Sequence, residues 1–353
     1  MIASLIENSR FVYNNLGDEL SKRIYENKLL YSLTEDYRFI SNIVNLSFPV
    51  DEYNNLVRSK FKNSPVIIYG AGFVGLNFLQ LCTDVNVRAF CDSEESKQGS
   101  LFCDHKVISP EELANDYSDC AVAIAVFDSF AEKEIITKLE RLGISKEKIV
   151  TIDDIAPFRY DLRKAYFHPD IISPQQLQNE VFIDGGCYDF RTSQRFKEYC
   201  KDKYENIIAF EPNPKQYTIC AERAGLIKNA TVYPYALWDN KAKLEFDNTR
   251  SSSAHISSQS ESTMKIKAVK LDDILNGEKA TFIKMDVEGA ELNALKGAEL
   301  TIREYRPKLA ISIYHKPEDI WEIPGYILSL YSDYRLFIRH YSLIFSETIL
   351  YAI

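Results

Sequence analysis

Val181-Phe182-Ile183-Asp184-Gly185-Gly186-Cys187-Tyr188-Asp189 is the stretch that decides how this chain folds. A short apolar run ends in an acid and two glycines, and a helix-patterned segment from Thr192 to Tyr199 follows. A buried parallel strand that turns sharply into a helix is written this way. The glycines let the backbone pass close to a ligand, and the helix start leaves N–H groups unpaired. A second apolar run, Ile207-Ile208-Ala209-Phe210, ends in Glu211. Two successive strand ends, each carrying a carboxylate, suit a nucleoside whose ribose hydroxyls need acceptors.

Downstream, strands are expected at Thr231–Tyr235, Lys243–Phe246, Ile266–Leu271, Phe282–Met285 and Leu309–Ile313. Tyr334–His340 and Thr348–Ile353 read as a closing antiparallel hairpin. Leu292, Leu295, Ala298, Ile302 and Tyr305 form one apolar stripe, so a helix is expected from Ala290 to Tyr305, ended by Pro307. The domain starts at residue 180 and runs to 353. Its fold class is α/β, a parallel sheet with a terminal antiparallel hairpin.

Upstream, residues 156–179 carry Pro157, Pro169 and Pro174 with little periodicity and read as an interdomain linker. Residues 63–155 repeat the strand–glycine–helix pattern: Val66-Ile67-Ile68-Tyr69, then Gly70-Ala71-Gly72-Phe73-Val74-Gly75, then a helix and a strand ending at Asp92. These are the context checks of a dinucleotide-binding turn. The unit is too short for a complete dinucleotide fold, so it reads as a small Rossmann-like α/β domain. Gly70, Gly72, Gly75 and Asp92 would hold a nucleotide or sugar nucleotide, or else only pack helix on sheet. Residues 1–62 read as a helical arm, with Phe11, Val12, Leu16, Leu20 and Ile24 at helical steps. The arm would pack on a neighbouring domain or make a homo-oligomer.

At 353 residues, 46% of them hydrophobic, the chain has apolar mass for two cores. A net charge of −9 without any basic run argues against a nucleic-acid partner. Seven scattered cysteines with no C-x-x-C pair read as free thiols of a reducing compartment. No signal peptide and no stretch near the roughly 18 apolar residues of a membrane span is seen. A cytoplasmic protein is the expectation.

The second half is similar to the FkbM family of S-adenosylmethionine-dependent methyltransferases. The resemblance rests on Phe182-Ile183-Asp184-Gly185-Gly186 with Tyr188-Asp189, Ala209-Phe210-Glu211-Pro212-Asn213-Pro214 and Ala236-Leu237-Trp238-Asp239. It continues through Leu271-Asp272-Asp273, Ile283-Lys284-Met285-Asp286-Val287-Glu288-Gly289-Ala290-Glu291 and Tyr314-His315-Lys316-Pro317-Glu318-Asp319. It implies a class I methyltransferase fold, S-adenosyl-L-methionine as cofactor and O-methylation as the reaction. The acceptor, a small molecule or glycan, is not implied. In one place the chain departs from the family: Phe190 stands where a further glycine is usual, and would crowd the methionine tail or tilt the next helix.

On that frame, Glu211 accepts the ribose hydroxyls, while Asp184, Gly185 and Gly186 shape the loop below the methionine tail, with Asp184 orienting its ammonium directly or through water. Tyr188 and Asp189 share that loop, Asn213 belongs to the second block, and Ala236 and Leu237 meet the adenine edge. Asp286 sits where strand order reverses, the usual ligand crevice. With Glu288 it would position the acceptor or take its proton, whereas Glu291 would face solvent. His315, after the next strand, suits general-base work with an ordinary imidazole. His315 with Asp286 or Glu288 also resembles a weak divalent-metal set, but spacing alone assigns no metal. The serine-rich stretch Thr249 to Ser262 would be a lid or a solvated loop. The competing readings are an NAD(P)-linked sugar oxidoreductase or epimerase run by the earlier glycine turn, and a non-catalytic nucleotide binder.

Overall fold

The computed structural model describes residues 2–48, 50–61, 64–81, 85–126, 129–151, 164–247, 263–342 and 345–353. Three helices open the chain: α1 (Ile2–Asn14), α2 (Glu19–Thr34) and α3 (Tyr37–Ser47). The chain divides into two units, and the division falls inside α3. One unit is Val44–Asp161; the other joins Met1–Ile43 to Leu162–Ile353.

The first unit holds α4 (Val50–Phe61), β1 (Val66–Tyr69), α5 (Phe73–Leu81), β2 (Val87–Cys91), β3 (Leu101–Phe102), β4 (His105–Ile108), α6 (Pro110–Asp116), β5 (Ala121–Ile124), α7 (Ser129–Arg141) and β6 (Ile149–Thr151). Its strands lie in the order β3-β4-β2-β1-β5-β6. All neighbours are parallel except β3, which pairs antiparallel with β4. β1 and β5 are buried along their whole length, which is why they read as unbroken apolar runs.

The second unit continues with β7 (Glu180–Gly185), α8 (Arg191–Tyr199), β8 (Tyr204–Phe210), α9 (Pro214–Ala224), β9 (Ala230–Tyr233), β10 (Ala236–Leu237), β11 (Ala242–Asp247) and β12 (Thr263–Val269). It closes with α10 (Leu271–Leu275), β13 (Phe282–Met285), α11 (Glu291–Lys296), α12 (Glu299–Tyr305), β14 (Lys308–Ser312), α13 (Asp319–Leu330), β15 (Leu336–His340) and β16 (Thr348–Ala352). Its main sheet runs β15-β16-β14-β13-β7-β8-β9. β9, β8, β7, β13 and β14 are parallel, and β16 and β15 form the expected antiparallel hairpin at the edge. This is the class I methyltransferase order, with the reversal between β7 and β13.

Several expectations about these elements are corrected. The strands read at Lys243–Phe246 and Ile266–Leu271 leave the main sheet and make a small one, β10-β12-β11, and Leu271 begins α10 rather than ending a strand. The helix expected over Ala290–Tyr305 breaks in two, because the backbone of Trp238 crosses at Gly297, where a Cβ would lie 2.0 Å from its carbonyl oxygen. In the stretch read as linker, Ala165, Tyr166, Phe167, Ile171, Ile172 and Leu177 are core: Phe167 is buried among Phe182, Phe196 and Phe282, with Phe182 and Phe196 stacked at 4.1 Å.

Of the two roles expected of the N-terminal helices, packing on other elements is the one seen for the first two. α1 packs on α13 and α2 on β15. Gly17 N donates to Leu336 O at 2.7 Å, and Leu336 N to Asn15 O at 3.2 Å. Asp18 caps α2 through Ser21 N and binds Arg339 of β15 at 2.6 Å. Of the apolar stripe found in the sequence, Val12, Leu16 and Ile24 are buried and Leu20 half-buried, while Phe11 is exposed.

Candidate active site

β7 and β13 are register partners at the point of strand reversal, with Asp184 opposite Lys284 and Gly185 opposite Met285. The site is built from the ends of these strands. Gly186 has φ +72, and a Cβ on it would lie 1.9 Å from the Asp286 carbonyl oxygen. Only glycine allows β7 and β13 to approach that closely before the turn. Gly185 is packed by Leu237, whose Cδ1 would be 3.0 Å from an added Cβ. Leu237 is thus a buried floor to the loop, while Ala236 beside it is half-buried.

Asp184 is wholly buried and does not face a ligand. Its Oδ1 lies 3.0 Å from Lys284 Nζ, and its Oδ2 accepts from Ser193 Oγ at 2.7 Å. Both oxygens thus have internal partners, and of the two expected ways of orienting an ammonium the direct one is disfavoured. Lys284 also donates to Gly185 O at 3.0 Å and Gly186 O at 2.7 Å, so its ammonium ties the carboxylate to the loop. Burial works against the lysine charge, but the Asp184 and Asp286 carboxylates outweigh it and push its pKa above the ordinary value.

Beyond β8, Glu211 is almost fully buried and accepts Tyr188 N at 3.0 Å on one oxygen and Asn213 N at 2.8 Å on the other. Each oxygen keeps a lone pair for a hydroxyl. Burial pushes its carboxyl up to about 7, although the two backbone donors pull the other way. Asn213 turns its side chain to cap α9 through Lys215 N at 3.0 Å, so it reaches the site by its backbone alone. Tyr188 is an exposed ring at φ +51. Asp189 is committed to Arg191 at 2.9 Å and Arg223 at 3.2 Å, so its carboxylate already has cationic partners outside the loop.

Phe190 is the plainest correction. It does not stand at the rim: its side chain is fully buried in the core with Phe167 and Phe196, and its backbone sits at φ +66. That left-handed conformation costs a side chain roughly 1–2 kcal/mol, which accounts for glycine at this place in the resembled family. Here core packing offsets the strain.

At the end of β13, Asp286 accepts from Tyr166 Oη at 2.8 Å, and Tyr314 Oη lies 3.3 Å from its other oxygen. Although burial would raise its pKa, Lys284 and His315 hold the carboxyl below the ordinary range. His315 Nε2 is 3.6 Å from Asp286 Oδ1 and 3.4 Å from Glu288 Oε2, and Nδ1 is 3.0 Å from Glu291 Oε1. Burial disfavours the imidazolium, but Glu291, Glu288 and Asp286 raise its pKa to about 11. The three carboxylates around the ring favour the imidazolium, which weighs against the general-base role expected of His315. Glu291 was expected in solvent and is wholly buried, also accepting Val287 N at 2.8 Å. Glu347, from the hairpin, comes within 3.4 Å of Tyr314 Oη.

Sequence reading found Asp286, Glu288 and His315, which the fold does bring together. It missed Lys284, Tyr166, Glu291 and Glu347. A signal existed for Lys284, since a lysine inside the apolar strand Phe282–Met285 needs a buried partner. In the first unit, Asp92 accepts Ala71 N at 3.0 Å and pairs with Lys97 at 3.2 Å, holding the glycine turn itself. Gly70 and Gly75 are required by packing, since added Cβ atoms would lie 2.6 Å from Ala125 O and 2.0 Å from Gly70 O. Gly72 faces open space. The stretch Thr249 to Ser262, read as a lid or a solvated loop, lies outside the described residues.

Residues 181–342 match the family model of the methyltransferase FkbM domain. This part of the chain carries the FkbM methyltransferase domain. Residues 62–150 match a second family, the C2185-like N-terminal domain. A curated relative of the FkbM domain is the 2-O-methyltransferase NoeI of Sinorhizobium fredii, 24% identical over 161 residues, which are 39% of this chain and 65% of the relative. Among solved structures, the methyltransferase FkbM of Methylobacillus flagellatus is 20% identical, with coverage of 92% of this chain and 100% of that one, at a TM-score of 0.46. The Aeropyrum pernix fibrillarin bound to S-adenosyl-L-methionine is 10% identical, covering 55% of this chain and 74% of that one, at a TM-score of 0.35. Among the described residues, no helix is long and apolar enough to cross a membrane.

Proposed function

We propose that the FkbM domain is an S-adenosylmethionine-dependent O-methyltransferase acting on a hydroxyl of a sugar, glycan or related small molecule. The observation that carries this reading is the pairing of the Gly185–Gly186 turn with Glu211, whose backbone-held carboxylate lies beyond the neighbouring strand. The turn lets the cofactor approach the backbone, and Glu211 offers two acceptor oxygens to the ribose diol. The donor methyl is already activated by its sulfonium, so the protein's task is to align nucleophile, carbon and sulfur and to receive the hydroxyl proton. Asp286, a half-buried carboxylate at the strand reversal, is the group for that hydroxyl. Tyr166 and Tyr314 fix the orientation of its oxygens. The name of the curated relative supports a hydroxyl acceptor, and the sugar class rests on the glycine-turn module of residues 63–155, whose sequence suits a sugar nucleotide. In the other unit, Gly72 has room for a phosphate of a nucleotide or sugar nucleotide.

Calorimetry with S-adenosylmethionine, S-adenosylhomocysteine and NAD(P) tests the cofactor. Well-folded protein that binds neither sulfur compound would refute the reading. Transfer of labelled methyl to sugar nucleotides and glycan extracts would then identify the acceptor.

A further inference from the structure

The His315 cluster holds more negative charge than its cation can match. Asp286, Glu288 and Glu291 each place a carboxylate oxygen within 3.6 Å of the one imidazole. Lys284 acts on Asp286 only through space, since its ammonium is held by Asp184 and two loop carbonyls. Oε2 of Glu291, in a side chain with no exposed surface, has no hydrogen-bond partner among the described residues. Nδ1 of His315 faces Glu291 without the alignment of a hydrogen bond.

The spacing of these atoms is also that of ligands around one ion. Two donors bonded at about 2.1 Å to a common ion lie roughly 3.0–3.4 Å apart for right-angled to tetrahedral geometry. His315 Nε2 stands 3.4 Å from Glu288 Oε2 and 3.6 Å from Asp286 Oδ1. The donor atoms of Asp286, Glu291 and His315 all fall within 4.8 Å of one another. We infer that Asp286, Glu288 and His315 bind a divalent first-row cation of the Mn2+ or Zn2+ class, with Glu291 orienting the imidazole from its Nδ1 side.

One imidazole nitrogen with carboxylate oxygens and no thiolate favours that class over Ca2+ or Mg2+, which prefer all-oxygen shells. The carboxylate behind Nδ1 is the usual support of a metal-bound histidine. Glu288 meets its place in the shell at φ +55, an uncommon conformation for a glutamate. The inferred role rests on the proposed methyltransferase reading: the ion would lie beside Asp286, bind the acceptor hydroxyl and ease loss of its proton.

The test is a titration of the full-length, chelator-treated protein with Mn2+, followed by electron paramagnetic resonance and calorimetry, with Zn2+ as competitor. The expected result is one saturable equivalent displaced by Zn2+, with affinity falling at least about tenfold in Glu288→Gln and Glu291→Gln and lost in His315→Ala. Glu288→Gln alters a half-exposed side chain, so its circular dichroism and melting should match the parent. Absence of saturable binding in the parent, or unchanged affinity in a folded Glu288→Gln variant, would overturn the site. Cofactor calorimetry on the chelated protein reports separately on the methyltransferase reading.

Discussion

Lys284 and Asp184 face each other across β13 and β7, with Nζ 3.0 Å from Oδ1 and neither side chain exposed by more than 2%. The pair fastens the glycine turn to the sheet, because the same ammonium holds the carbonyls of Gly185 and Gly186. Removing one partner leaves the other charge buried and unmatched, at a cost of about 3–5 kcal/mol. Lys284→Met should therefore lower the urea midpoint and weaken S-adenosylmethionine binding together. Adding Asp184→Asn should recover much of the stability. A single variant as stable as the parent would show that the pair is not what holds the turn.

Glu211 should supply charge-assisted hydrogen bonds to the cofactor ribose. Glu211→Ala is expected to weaken cofactor affinity by about 1.5–3 kcal/mol in calorimetry.

The same residue predicts a pH dependence. Its folded-state pKa is raised from 4.5 to about 7, so the acceptor form fills in as pH rises through 7. Cofactor affinity should climb by about tenfold between pH 6 and 8, and the slope should vanish in Glu211→Gln. Its effect on fold stability has the opposite sign. The folded state binds the extra proton between 4.5 and 7, so this group's contribution falls as pH rises across that window.

Phe190→Gly would relieve a left-handed side-chain position but empty a fully buried aromatic site. The cavity cost of about 3–5 kcal/mol exceeds the relief of roughly 1–2 kcal/mol. The expected result is a protein less stable by about 1–4 kcal/mol with cofactor affinity little changed once folded. A marked gain in affinity would show that the ring does crowd the ligand.

Asp18 joins α2 to β15. Burial alone would raise its carboxyl, but the Arg339 guanidinium and the Ser21 donors lower it to about 2 from 3.8. A depressed acid contributes stability above its unfolded value, and that contribution is lost as pH falls from about 3.8 through 2. Allowing for its partial exposure, Asp18→Ala should cost about 1–2 kcal/mol at pH 7, cap included. The difference from the parent should shrink in urea melts near pH 2.

What was legible in the chain was whatever depends on neighbours along it. Val181 to Gly186 and Ile207 to Glu211 show their strand ends because parallel strands are apolar throughout and stop at glycine or acid. Glu291 was misread for the complementary reason. Its place on a helix is local, but its burial comes from His315, which follows a different strand. Motif position suggests that Phe190 crowds the cofactor or tilts the next helix, while its ring is buried in a core cluster whose other members, Phe167 and Phe196 among them, come from separate elements. Asp18 and Arg339 are 321 positions apart, and no pattern within the first helices names that partner.

The division of the chain has a consequence for synthesis. Val44–Asp161 interrupts a unit whose two pieces, Met1–Ile43 and Leu162–Ile353, must find each other. At about 5–20 residues per second, Asp18 waits roughly 15–60 s on the ribosome before Arg339 is made. During that interval the apolar faces of α1 and α2 have no strand or helix of their own unit to cover them. The intervening domain can complete its sheet first. The nascent protein is thus exposed at its beginning, and a chaperone that shields short amphipathic helices would act there rather than on the later glycine turn.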